Sequence, residues 1–163
     1  MKTSEAIKLG IDMSAMVCTP YVDDLSDADL MRRPHSKCNH IKWQLGHLIA
    51  SEHNMINTAF PGSMPALPAG FAERYTKETA TSDDPTKFDS KEVLMKTYQQ
   101  QRSAFLKALE KLQDADFEKP SPESFQSYAP TIGSLCSMIG SHWLMHAGQW
   151  VIVRRELGKE PLF

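Results

Sequence analysis

Six histidines are the main chemical resource of this sequence, and two of them, His142 and His146, lie four residues apart. In a helix, residues at this spacing lie about 40° apart around the axis and one turn along it, so two imidazoles can reach one metal ion. The pair falls on the apolar stripe of its predicted helix, where each ring would leave a nitrogen to be satisfied. A shared divalent ion would satisfy both rings; packed or solvated histidines with separate partners are the alternative.

Two imidazoles make a weak metal site, so a third ligand must come from another helix. His47 is the leading candidate, because it lies within the second predicted helix. By helical projection it is roughly 140° from the main apolar stripe of that helix, on a second inward face that it shares with Trp43. His40 projects the same way but is expected at the helix start, as a capping or supporting residue. His53 is expected on the surface and His35 in a loop.

Motifs for other chemistries are missing from the chain. There is no HExxH or ExxH sequence, no GxSxG, no GxGxxG and no phosphate-binding P-loop. The three cysteines, Cys18, Cys38 and Cys136, form no CxxC pair, which argues against a disulfide framework or a cysteine-rich zinc site and favours small buried side chains. The three tryptophans are expected in the core and not in a ligand cage.

Four long segments with helical periodicity must position these residues, and none shows the alternation of a strand. The predicted helices run from about Ser4 to Tyr21, from an N-cap at Asn39 to about Phe60, from an N-cap at Ser90 to Leu112, and from Thr131 to Leu157. A proline-containing connection from Asp114 to Pro130 precedes the last helix and is expected to be ordered coil.

The longest connection, Pro61 to Asp89, joins the second and third predicted helices and contains four prolines. A loop of this length in a compact domain is usually functional. Its middle, Ala69 to Lys77, is predicted to form a short helix that carries Phe71 and Tyr75 inward as walls of an active site. The expected fold is therefore all-α: a four-helix bundle with a long crossover between helices 2 and 3, in one domain over residues 1–163.

The amino-acid composition and net charge indicate which kinds of binding partner can be excluded. Hydrophobic residues make up 41% of the 163 residues and charged residues 23%, close to the average of soluble globular domains. Eighteen basic and twenty acidic residues give a net charge of −2, which offers no electrostatic footprint for nucleic acid or an anionic membrane. No apolar run is long enough for a transmembrane helix, and Glu5, Lys8 and Asp12 interrupt any signal peptide. A cytoplasmic protein with no nucleic-acid or membrane partner is expected.

Three motifs follow one another along the chain: Trp43-x-x-Gly46-His47-Leu48, His142-x3-His146-Ala147-Gly148-Gln149, and Arg154-Arg155-x-Leu157-Gly158-Lys159-x-Pro161. In this order they resemble the motifs of the DinB-like superfamily, which includes YfiT-type metal-dependent hydrolases and thiol-dependent S-transferases. The resemblance covers nearly the whole chain. It implies a four-helix bundle that holds a divalent metal with three histidines, which fall here on His47, His142 and His146.

Three neutral imidazoles would leave the ion its full +2 charge and at least one open position, the pattern of a catalytic site. Zinc or nickel suits such ligands best, with iron or manganese as alternatives. A metal-bound water or thiol would be the reactive group, and no other catalytic residue is predicted. The resemblance implies thiol S-transfer to a small molecule, with a metal-dependent hydrolase or a non-catalytic metal-binding stress-response bundle as alternatives. It also implies a homodimer, in agreement with apolar residues on several helix faces.

Overall fold

A computed structural model describes the whole chain, Met1–Phe163, and its regular elements are all helices. Six α-helices follow one another: α1 (Thr3–Asp23), α2 (Ile41–Ala59), α3 (Phe71–Arg74), α4 (Lys91–Leu109), α5 (Asp114–Phe117) and α6 (Ile132–Glu156). The four long helices are α1, α2, α4 and α6, and the short ones lie in the connections. The predicted all-α bundle with a long crossover is confirmed. No helix contains an apolar stretch that would suffice for a membrane span.

Three of the four long helices, α2, α4 and α6, begin at a residue whose side chain accepts a hydrogen bond from a free backbone N–H group. Ser90 Oγ accepts a hydrogen bond from the Val93 N–H at 3.3 Å, as predicted for the start of α4. The predicted cap of α2 was wrong by one residue, because the Nδ1 atom of His40 accepts from the Trp43 N–H at 3.0 Å. The His40 ring is fully buried and packs edge-on against Phe88, which holds it in place over the helix start. Tertiary packing thus outweighs the higher capping preference of asparagine.

The core lies between the four long helices and forms one cluster. α1 packs along α6, and α2 packs against both α4 and α6. The predicted core tryptophans are confirmed, since all three are at most 5% exposed. Cys18 and Cys136 are buried as predicted, whereas Cys38 is only half-buried. The site therefore stands on a packed helical frame that needs no metal to fill its interior.

The crossover between α2 and α4 is fixed to α2 by an aromatic contact. The ring of Tyr75 lies over Gly46, where an added Cβ would come within 2.2 Å of a ring carbon. The Tyr75 hydroxyl donates to Asp89 Oδ2 and accepts from the Asp89 N–H, both at 3.0 Å. Phe71 and Tyr75 are buried, so their inward direction was predicted correctly, although the helix spans only Phe71–Arg74 and Tyr75 directly follows it.

Candidate metal centre

The structure brings together the three histidines that the sequence singles out. One ligand nitrogen from each of His47, His142 and His146 lies within 4.8 Å of the others. The ring centroids are 5.1 Å apart for the pair on α6, and 5.4 and 5.7 Å from His47 to His142 and His146. The four-residue spacing places two rings on successive turns of α6, with their planes 60° apart, and the third ring comes from α2.

All three rings are half-buried, which corrects the prediction that the pair on α6 replaces core residues. The buried stripe of this helix runs through Trp143 and Ala147, each one residue after a histidine. Successive residues are 100° apart around a helix, so His142 and His146 flank the core and do not point into it. This position leaves the rings within reach of an ion and a small molecule from solvent.

Burial keeps these imidazoles in the neutral form. It lowers the pKa of His47 and of His146 to about 4, and repulsion from a protonated His142 adds to the effect in both cases. Burial also lowers the pKa of His142 below its ordinary value. Neutral imidazole is the form that ligates metal ions, so the cluster is ready for an ion near pH 7 without losing protons first.

Gln44 fixes which nitrogen of His146 is free to ligate. Its Oε1 atom accepts from the Trp150 indole N–H at 2.8 Å and lies 2.9 Å from His146 Nδ1. The indole nitrogen can only donate, so the amide oxygen must face it, and Nδ1 of His146 must then carry the proton. The lone pair of His146 is therefore on Nε2. This arrangement, in which the non-ligating nitrogen donates to a fixed acceptor, is typical of metal-binding histidines.

Trp43 supports His47 by stacking on its ring. The two rings stack with their planes 8° apart and their centroids at 4.9 Å. The Trp43 indole N–H donates to the Thr76 carbonyl oxygen and the Thr79 hydroxyl, at 3.2 and 3.1 Å, and both belong to the crossover. The crossover therefore positions His47 through Trp43.

The other histidines lie outside the cluster. His40 is a buried cap, as its predicted place at the helix start suggested. His35 is exposed in a loop, also as predicted. His53 is half-buried and not simply on the surface, since its Nδ1 lies 3.0 Å from Gln101 Oε1 on α4.

A cleft of about 460 Å³ opens beside His47 and His142. Its other lining residues are Ser51, Met55, Tyr128, Met138, Ser141 and Met145. Phe71 and Tyr75, which were predicted to wall an active site, are buried and do not line this cleft. Tyr128 of the connection between α5 and α6 lies there instead, and nothing in its sequence context singled it out. A larger groove of about 900 Å³, beside the Gly62–Pro65 segment and α4, contains lysines but no histidine.

The donor set fits a divalent transition metal. It consists of three neutral imidazoles, the ligand type that suits zinc, nickel and iron, and it includes no carboxylate or thiolate. The rings of His47 and His142 form no hydrogen bond with other protein groups, so their nitrogens are available to an ion.

Comparison with known families agrees with the site and the fold. The sequence model of the DinB superfamily matches residues 11–150, a span that includes all three clustered histidines. No curated protein and no solved structure matches the sequence.

Proposed function

The chain belongs to the DinB superfamily, and from that premise we propose that it is a metal-dependent enzyme that transfers a low-molecular-weight thiol to a small electrophile. In this proposal His47, His142 and His146 hold the divalent ion, with zinc or nickel as the preferred metal and iron or manganese as alternatives. The observation that carries the proposal is the convergence of three neutral imidazoles beside an open cleft.

The number of ligands favours catalysis over a structural or storage role. The cluster contains three histidines and no fourth histidine, cysteine or carboxylate. Structural zinc sites are closed by four protein ligands, whereas catalytic sites keep a position for water or substrate. The cleft lies beside two of the three ligands, so the open position has access to a small molecule.

When bound, the ion would lower the pKa of a coordinated thiol or water towards neutrality. The chain's own residues would orient the reactants: Gln44 holds His146, Trp43 holds His47, and the cleft aligns the electrophile. The thiol gives its proton to solvent, its sulfur forms a bond to an electrophilic carbon, and the leaving group departs from that carbon with the bonding electron pair. A hydrolase would use the same site with water in place of the thiol.

The reactants in this proposal are small molecules, and the compartment is the cytoplasm. All three cysteines are unpaired, as expected where thiols are kept reduced. A reducing compartment would also supply the thiol substrate.

The test is an activity assay on protein purified without a nickel column, stripped with a chelator and reloaded with one metal at a time. The electrophile is 1-chloro-2,4-dinitrobenzene, the thiols are cysteine and glutathione, and conjugate formation is followed by absorbance. We expect metal-dependent conjugation that His142→Ala abolishes and exposed His35→Ala retains. Equal rates with and without metal would contradict the proposal, and metal-dependent cleavage of p-nitrophenyl acetate without thiol would favour the hydrolase.

A further inference from the structure

We infer that the cleft beside His47 and His142 binds an uncharged, largely apolar small molecule; this inference rests on the proposed function and names the class of its electrophilic substrate. We call the cleft the methionine cleft, after Met55, Met138 and Met145, which supply three of its eight lining residues.

The side chains of the cleft are well suited to apolar ligands. Three methionines and Tyr128 supply flexible and flat apolar surface, and methionine adapts to ligands of irregular shape. Ser51 and Ser141 add two hydroxyl groups, each of which can donate to or accept from a neutral polar group. A ligand would thus find a mostly apolar wall with two hydrogen-bonding points.

The charge of the cleft argues against an ionic substrate. No lysine, arginine, aspartate or glutamate lines it. In the metal-free chain, an ion that left water for this cleft would lose hydration and find no side chain of opposite charge. The chain does place cations around another groove, with Lys96, Lys107 and Lys111, so the lack of charge is a property of this cleft in particular.

The shape of the cleft fits a small molecule better than a protein surface. Its volume of about 460 Å³ is within the usual range of small-molecule sites. Met55 is 6% exposed, whereas Tyr128 and Met145 are 55% and 59% exposed, so the cleft has a buried floor and an open rim. Two of the three clustered histidines, His47 and His142, line this cleft, so a bound molecule would lie beside the proposed metal. Direct access to the proposed reactive position favours a small-molecule occupant over a second copy of the chain.

The test compares three probes of one size: 4-(trifluoromethyl)benzyl alcohol, 4-(trifluoromethyl)benzoate and 4-(trifluoromethyl)benzylammonium. Binding to the full chain is measured by fluorine NMR, first without metal and then with zinc. Without metal, we expect the alcohol to bind at least about tenfold more tightly than either ion, because neither charge is paired in the cleft. This arm does not depend on metal binding or turnover, so its failure is distinguishable from failure of the proposed function.

Variants locate the binding site. Ser141→Phe fills the cleft from an exposed position and should abolish alcohol binding, and Met145→Glu should weaken it by at least about tenfold. Ile152→Glu, which changes an exposed apolar residue on α6 outside the lining, is the matched control and should bind as the wild type does. Ions that bind the metal-free protein as tightly as the alcohol would overturn the inference. Alcohol binding by the Ser141→Phe variant would also overturn the inference. So would a change from dimer to monomer in sedimentation of the Met145→Glu variant, because the cleft would then be an interface between copies of the chain.

Discussion

Gln44 shows how much of a metal site depends on residues that never touch the metal. One amide oxygen serves both Trp150 and His146, and the amide nitrogen donates to the Asn39 carbonyl at 2.7 Å and to Gln149 Oε1 at 3.1 Å. With both ends of the amide engaged, the orientation of His146 is fixed before any ion arrives.

Replacing Gln44 with leucine should therefore weaken zinc binding by about 10- to 100-fold, because the His146 tautomer and ring angle lose their support. Zinc affinity is measured by competition with a chromophoric chelator. Gln149→Leu is the matched control, since Gln149 meets Gln44 only at the amide nitrogen, and its effect should be smaller. A Gln44→Leu protein with wild-type zinc affinity would show that Gln44 is only a packing residue.

His40 gives a second prediction, on pH. Burial, aided by Arg33 and Lys42 and opposed by Asp83 and a Ser82 backbone group, lowers the pKa of His40 from 6.5 to about 4. Protonation would also remove the Nδ1 acceptor that caps α2. Because the folded-state pKa is the lower one, the stabilisation is complete above pH 6.5 and is lost as pH falls through about 4.

The measurement is the free energy of unfolding of metal-free protein between pH 7 and 4, by urea denaturation. His40→Asn keeps a capping side chain but cannot titrate, so its stability should fall less steeply than that of the wild type. The exposed His35→Gln variant should follow the wild type. Parallel pH profiles for the wild type and His40→Asn would contradict the role given to His40.

At the residue scale, the sequence was sufficient to predict which three histidines lie together, but not which residues hold their rings in place. The four-residue spacing of His142 and His146 is a local signal, and His47 could be found from its place on an inward face of another helix. Gln44 carries no such signal, because its function depends on Trp150, which is 106 positions away along the chain. Helical projection overestimated the burial of His142 and His146, because it cannot distinguish the centre of an apolar stripe from its edge.

At the scale of elements, one turn of α2 connects the core, the crossover and the site. Trp43 stacks on His47, Gln44 holds His146, and Gly46 admits the ring of Tyr75. From its length and prolines the crossover was predicted to border the active site; it contributes no residue to the cleft and contacts Trp43 and Gly46 of α2 instead. Which connection lines the cleft could not be predicted, because Tyr128 reaches it only through the packing of α6.

Gly46→Ala should destabilise the protein by about 1–3 kcal/mol, because the new methyl group would overlap the buried Tyr75 ring. It should also weaken zinc binding, since His47 is the next residue. Thermal and urea denaturation with zinc titration test both effects. Gly148→Ala is the control: its Cβ would meet no atom within 4 Å, so helix propensity should make it neutral or slightly stabilising. Wild-type stability in Gly46→Ala would show that the crossover moves freely.

At the scale of the whole molecule, the helix periodicity and the three motifs were enough to predict the bundle and its family. Association between copies is a separate expectation. Leu9, Met13 and Met16 share one face of α1 and are 52–59% exposed, more apolar surface than an isolated helix face usually presents to water.

We expect a homodimer that buries this face of α1. Sedimentation equilibrium at micromolar concentration should give about twice 18.4 kDa for the wild type. Met13→Lys should shift the mass towards the monomer, and Val93→Lys on α4 should not. A wild-type monomer across the concentration range would refute the dimer and leave the metal centre unaffected.

The measurement that tests the central claim most directly is zinc titration of the metal-free wild type and of the three single variants His47→Ala, His142→Ala and His146→Ala. The account predicts one ion per wild-type chain and at least about tenfold weaker binding in each variant, with unchanged helical circular dichroism. His53→Ala, which removes a histidine of α2 outside the cluster, should bind as the wild type does. Wild-type affinity in any of the three cluster variants, or equal loss in His53→Ala, would contradict a metal centre built from these histidines.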